Sequence, residues 1–299
     1  MSLLDLLLGL LANLAWGFNF IAGKEGAQHF QPLLFTALRF AILLALTAPW
    51  LKPAKGYMKP LLSVAFVLGV LHFSMMFLGL NAGGNIASVA IATQLYVPFS
   101  AILAAAILKE SIGWVKGGAI LLALSGVFII GFDPVVFNHL DALAWVVGAA
   151  ASMAVATILM KQCPTLGVMR LQAWIALVAT PSLLLLSYIF EEGQWLRLTQ
   201  SEWSDYWAPL YSAVAASIIG HGIVYRLLGR YSVSLVTPMM LLAPIFAMVF
   251  GIFWFGDVLT WKLSLGGALT LLGVVIINIP REQFRRVMYL LAGKRGASI

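Results

Sequence analysis

The residues best suited to chemistry here are a few polar groups set inside long apolar stretches. Arg39 is the clearest. It lies about eight residues into one such stretch, or roughly 12 Å along a helix axis. No Asp or Glu lies deep in any stretch to pair with it. A guanidinium grips a carboxylate with two parallel hydrogen bonds, so one role for Arg39 is to meet an anionic small molecule. The other is to bond helix carbonyls or to snorkel. His72 and His221 fall within two further stretches. Imidazole titrates near neutral pH, and a neutral histidine donating to a neighbouring helix is the competing role. Asn13, Trp16 and Asn19 recur every three residues, which places them along one helix face. That face suits either a cavity or a packed neighbour whose backbone the amides bond. Gln94 and Tyr96 precede Pro98, whose missing N–H frees a carbonyl. Met75, Met76, Met239 and Met240 suit an adaptable apolar pocket or ordinary packing. Tyr225, Trp174 and Trp145 are weaker candidates, since Tyr and Trp collect at headgroup level.

These groups sit on ten apolar stretches: 3–22, 32–50, 60–80, 86–108, 114–131, 141–160, 170–190, 208–228, 234–255 and 262–280. About 20 such residues cross a bilayer as a helix. The chain is 62% hydrophobic and 10% charged, with a mean hydropathy of +0.98. Soluble domains carry about 25% charge, so lipid rather than water must cover this surface. Runs such as Ile120-Leu121-Leu122-Ala123-Leu124 lack the alternation of a barrel strand. The expected class is therefore an all-α membrane protein with ten transmembrane helices.

The basic residues set the orientation. With the N-terminus in the cytoplasm, only Lys24, Arg197 and Lys262 of the 18 Lys and Arg residues fall on the far side, with Arg39 inside a span. Both termini are then cytoplasmic. The +7 net charge reflects lipid topology and does not point to nucleic acid. Lys24 and Lys161 end two of the stretches and serve topology and snorkelling. The lone Cys163 excludes an internal disulfide or a multi-cysteine metal site. The start lacks a basic n-region, so the first stretch reads as a retained helix. The loop from Glu191 to Trp207 is acidic and aromatic and suits the outer interface. Residues 281–299 read as a basic cytoplasmic tail, either a helix on the leaflet or a frayed topology signal.

The two halves repeat. Ser88 stands ten residues before Pro98, and Ser234 ten before Pro244. An acid then follows in each half, Glu110 or Asp257, with a tryptophan four residues later, Trp114 or Trp261. Gly117-Gly118-Ala119 and Gly126 in one half answer Gly266-Gly267-Ala268 and Gly273 in the other. The repeats are 1–131 and 141–280, followed by the tail. Five spans per repeat invert the second, the frame of many secondary transporters with a site near the midplane. Spans one, three, four, six, eight and nine would surround the cavity. Spans five and ten would pack behind it through their glycines, and Pro98 and Pro244 would act as hinges. Glu110 and Asp257 would close their own helix corners by capping, and at the bilayer edge they would not carry protons through it.

In this five-plus-five layout, the Pro98 and Pro244 helices and the Lys109-Glu110 and Gly256-Asp257 turns, the chain resembles the EamA branch of the drug/metabolite transporter superfamily. The family often has Gly-Glu at such turns, and neither copy here matches fully. The resemblance implies an exporter of the bacterial inner membrane for amino acids or related metabolites, including aromatic amino acids, working without a cofactor. Its partners would be a small-molecule substrate and the lipid bilayer. The expected site is Asn13, Trp16, Asn19, Arg39, His72, Met76, Gln94, Tyr96, His221 and Tyr225.

The absences bear on mechanism. No carboxylate relay crosses the membrane, which favours facilitated transport or weak coupling through histidine. No P-loop appears, nor a catalytic carboxylate pair, nor a His/Cys cluster. The rival reading is an integral membrane enzyme acting on a lipid-linked substrate. It would require a cluster of acidic or histidine residues at one interface, and the only acidic group, Glu191, Glu192, Glu202 and Asp205 of the outer loop, is expected to lack a histidine partner. A scaffold or sensor would leave Arg39 and the two histidines without purpose.

Overall fold

A computed structural model describes residues 1–83, 85–109, 112–163, 166–231, 236 and 239–279. Glu110, the Val233-Ser234-Leu235 copy of the repeat and the 281–299 tail lie outside the described residues. Among those described there is no strand. Nine helices are long and apolar enough to cross a membrane. They are α1 (Leu3–Phe30), α2 (Pro32–Trp50), α3 (Met58–Asn81), α4 (Ile86–Ile107), α5 (Trp114–Gly131), α6 (Leu140–Met160), α7 (Val168–Phe190), α8 (Trp203–Leu228) and, after a shorter apolar helix α9 (Leu242–Phe255), α10 (Trp261–Asn278).

The helices pack as two related repeats. α1 lies against α8 and α9, and α6 lies against α3 and α4. α2 pairs with α7, and α5 with α10. Exchanging the two halves turns this set of neighbours into itself. The α5–α10 pair is a glycine contact, as its composition suggests, made by Gly126, Gly266 and Gly273 and not by Gly117 or Gly118. A Cβ on Gly126 would stand 2.4 Å from the Gly266 carbonyl, and one on Gly273 would stand 2.6 Å from that of Ala119. Gly118 faces open space. Where small residues let backbones approach, lipid-embedded helices gain packing that no hydrophobic effect supplies.

Local chemistry explains the breaks. The peptide before each proline turns tightly, with Val97 N donating to Gln94 O at 3.0 Å and Ala243 N donating to Met240 O at 3.3 Å. The carbonyls that Pro98 and Pro244 leave are therefore taken by the amide just before each proline and are not free, contrary to the sequence expectation. Two other irregularities match between the halves. α3 is π-helical over Ala65–His72 and α8 over Ser212–Gly220. Such segments are rare and concentrate at functional sites. His72 ends the first, and His221 directly follows the second.

Candidate functional site

The site is built around α2. Its first amides have no side-chain cap of their own, because Gln31 takes φ 70° and ψ 153°. Glu191, at the end of α7, supplies the cap from the other repeat. Its carboxylate accepts from Leu33 N at 2.7 Å and Leu34 N at 3.0 Å, and Ser187 Oγ donates to it at 2.7 Å. This fixes the register that carries Arg39 inward.

Arg39 is 2% exposed. Its guanidinium carbon stands 4.4 Å from the centre of the Phe73 ring, with Phe40 at 5.1 Å and Phe77 at 5.5 Å. Nη2 donates to Ser217 Oγ at 2.9 Å. Nε and Nη1 are buried with no hydrogen-bond partner. Among the described residues no carboxylate pairs with it. Arg39 therefore neither snorkels nor bonds helix carbonyls. It is an occluded cation with two donors unused.

Ser217 lies in the π segment of α8 and donates to Ser212 O five residues back, at 2.9 Å. Ser212 Oγ donates to Asn19 Oδ1 on α1 at 2.7 Å. The polar chain Arg39–Ser217–Ser212–Asn19 thus crosses between the repeats twice. Beside it, Trp16 Nε1 donates to Ala216 O at 3.0 Å, and Trp16 meets His221 edge-on with centroids 5.3 Å apart. The same carbonyl lies 3.1 Å from His221 Nδ1. His72 Nδ1 is 2.8 Å from Ala149 O on α6, and its ring packs on Phe73 at 4.8 Å. Arg39, Asn19, Trp16, His72 and His221 therefore form one cluster.

The other expected residues fall elsewhere. Asn13 Nδ2 bonds Gly9 O of its own helix at 2.7 Å, while its buried Oδ1 has no partner. Met76 is buried core beside Phe77. Tyr96 packs against two apolar clusters, and Gln94 sits at the α4 break. Tyr225 is 45% exposed and is not drawn to Arg39. Phe73, Phe77, Ser212 and Ser217 were not singled out from sequence. Serines five apart share a face only in π register, which an α-helical reading of α8 does not reveal.

Two expectations at the helix ends are corrected. Asp257 does not cap its own corner. Its Oδ2 accepts from Ile86 N, the first residue of α4 in the other repeat, at 2.7 Å. The outer-loop acids do have a histidine near them, because α1 runs on to residue 30 and brings His29 Nε2 to 2.9 Å from Ser201 Oγ and 3.5 Å from Asp205. One nitrogen faces both groups, so no Ser-His-Asp relay forms, in which the two groups must meet opposite ring nitrogens. Asp205 also caps Glu202 N at 2.7 Å. Among the described residues no three His, Cys, Asp or Glu side chains group as a metal site.

The comparisons agree with this architecture. A Salmonella typhimurium protein named as a probable amino-acid metabolite efflux pump is 29% identical over 298 residues, covering 96% of this chain and 98% of its own. An Escherichia coli K12 protein of the same name is 27% identical, covering 96% and 99%. A solved crystal structure superposes with a TM-score of 0.61 at 17% identity, over 96% of this chain and 99% of that one, which shows a shared fold. The profile of the EamA-like transporter family matches residues 3–132 and again 141–279. With nearly the whole length matched, once per repeat, this multi-pass membrane protein belongs to the EamA-like transporter family.

Proposed function

We propose that the chain exports amino acids or related carboxylate metabolites across the bacterial inner membrane by alternating access, with Arg39 receiving the carboxylate. The observation that carries this is the pair of unused donors, Nε and Nη1, on a cation buried where the two repeats meet. A bare buried charge is costly in a membrane and marks a substrate path by default. Asn19, Trp16, His72 and His221 complete the site, and the Phe40, Phe73 and Phe77 cage must part for the ligand to enter. The names of the Salmonella and Escherichia relatives point to the same substrate class.

In this reading both termini are cytoplasmic, α9 belongs to the ninth span, and residues 1–131 and 141–280 rock against each other at the Pro98 and Pro244 breaks. The membrane-enzyme rival has less support, since the His29 contact lacks relay geometry and the family is one of transporters. A panel of labelled amino acids and other carboxylates, followed out of protein-loaded liposomes with and without a proton gradient, tests the proposal. Protein-dependent flux of a carboxylate metabolite is expected. No flux of any panel member would overturn it.

A further inference from the structure

One feature of the molecule outside the Arg39 cluster joins titratable chemistry to a contact between the repeats. On the orientation proposed above, the α9–α10 turn and the start of α4 lie at the outer face. There Asp257 Oδ2 accepts from Ile86 N at 2.7 Å, and Asn85 Nδ2 donates to Val258 O at 3.0 Å. Both bonds join the second repeat to the first. Gly251 makes room for the carboxylate, since a Cβ there would lie 2.7 Å from Asp257 Oδ2. A pocket of about 310 Å³ opens beside it, lined by Asn85, Val135, His139, Gly256, Asp257 and Val258.

We propose that Asp257 is a proton-binding outer latch, and that a proton taken up from outer water through this pocket favours closure of the outer gate. The inference rests on the rocking of the two repeats. Its chemistry is a simple exchange: Oδ2 keeps the Ile86 bond, and an O–H bond forms at Oδ1. When the gate closes, a charged carboxylate loses water that it cannot fully replace, whereas a neutral carboxyl loses less and still accepts the amide.

The neighbouring groups give the sign. Burial pushes the Asp257 carboxyl up from its ordinary value, against the opposing pull of the Ile86 amide and of Lys24 on α1. Lys24 also lies over the Phe255 ring at 4.5 Å. Glu25 is engaged by Trp254 Nε1 at 2.8 Å, Asp133 by Val135 N and Thr260, and Lys262 by Phe132 O at 2.8 Å. His139 is the other titratable side chain of the pocket lining. A group with a raised value in the closed form binds its proton more tightly there, so closure is favoured as the outer pH falls and weakened as it rises.

The test uses the full chain in lipid nanodiscs with Cys163→Ser, and spin labels at Asn81→Cys and Leu259→Cys, one on each side of the latch. Label-to-label distances are compared between about pH 8 and about pH 4, down to the ordinary Asp value of about 3.9, so that a carboxyl raised by any amount gains its proton within the window. The long-distance population should shrink on acidification. Asp257→Asn, which keeps an acceptor for Ile86 and mimics the neutral form, should hold the short distribution at both pH values. Asp257→Ala should hold the long one, and His139→Gln should respond as the parent does. An unchanged pH response in Asp257→Asn, or a shift to longer distances in acid, overturns the latch alone. A single invariant distribution in every variant overturns the rocking as well.

Discussion

Replacing Arg39 with methionine separates two readings of a buried cation, because they give opposite signs for stability. Taking a charged side chain out of water costs several kcal/mol even after relaxation. Against this stand about 2 kcal/mol from the charge-assisted bond to Ser217 and about 2 kcal/mol from the desolvated contact with the Phe73 face. These terms nearly cancel, so Arg39 adds little to folding in the empty protein. Methionine keeps most of the apolar stem and removes the desolvation cost. Ser217 remains bonded to the Ser212 carbonyl. Arg39→Met should therefore leave stability within about 1 kcal/mol of the parent, or raise it.

The effect on a carboxylate ligand should be large. Two charge-assisted bonds from Nε and Nη1 are together worth about 3–6 kcal/mol, or roughly 10²- to 10⁴-fold in affinity. The assay is thermal unfolding in detergent with and without a transported carboxylate. The variant should melt at or above the parent temperature and lose the upward shift with ligand. A melt lowered by the equivalent of about 3 kcal/mol, the order expected on breaking a buried polar network, would make Arg39 structural and refute the reasoning. So would a ligand shift that survives.

Three further outcomes follow from local geometry. Lys109 ends the second segment of α4 at φ 56°, where Gly256 ends α9 at φ 67°; Lys109→Gly should raise stability by about 1 kcal/mol in a thermal melt, and a loss would contradict the strain argument. Gly126→Ala drives a Cβ to 2.4 Å from the Gly266 carbonyl and should cost about 1–3 kcal/mol, whereas Gly118→Ala, facing open space, should gain about 0.5–1 kcal/mol; equal effects at the two sites would refute the α5–α10 contact. Glu191→Ala leaves the Leu33 and Leu34 amides uncapped and should cost about 1–2 kcal/mol, partly restored by Glu191→Gln; amide exchange at the start of α2 reads it, and unchanged exchange would count against capping across the repeats.

Much of the architecture was legible because lipid imposes it. Apolar length marks the spans, and the Pro98 and Pro244 spacing exposes the repeat. The family's glycine at the helix-ending turn anticipates the backbone of Lys109, which adopts the left-handed conformation without being glycine. The site was half legible. Arg39, Asn19, Trp16 and both histidines stand out as polar groups in apolar runs. Their partners do not, because Ser212 and Ser217 meet only through a π turn, and Phe73 and Phe77 look like any apolar residue in a span. Contacts across the repeats were the least legible. Glu191 and Asp257 each cap a helix more than 150 residues away in the chain, and no local spacing encodes such a partner. His29 was hidden for a plainer reason. A hydrophobicity boundary near residue 22 cuts α1 short, while the buried Ala27 and Phe30 and the Arg197 bond to the His29 carbonyl hold it to residue 30.

The most direct test of the central claim is counterflow in liposomes, with labelled amino acid outside and the unlabelled form trapped inside, run on the parent and Arg39→Met together. Transient accumulation of label with the parent and none with the variant is expected. Equal accumulation in both, or none with the parent for any carboxylate tried, would contradict a carrier whose two repeats close around Arg39.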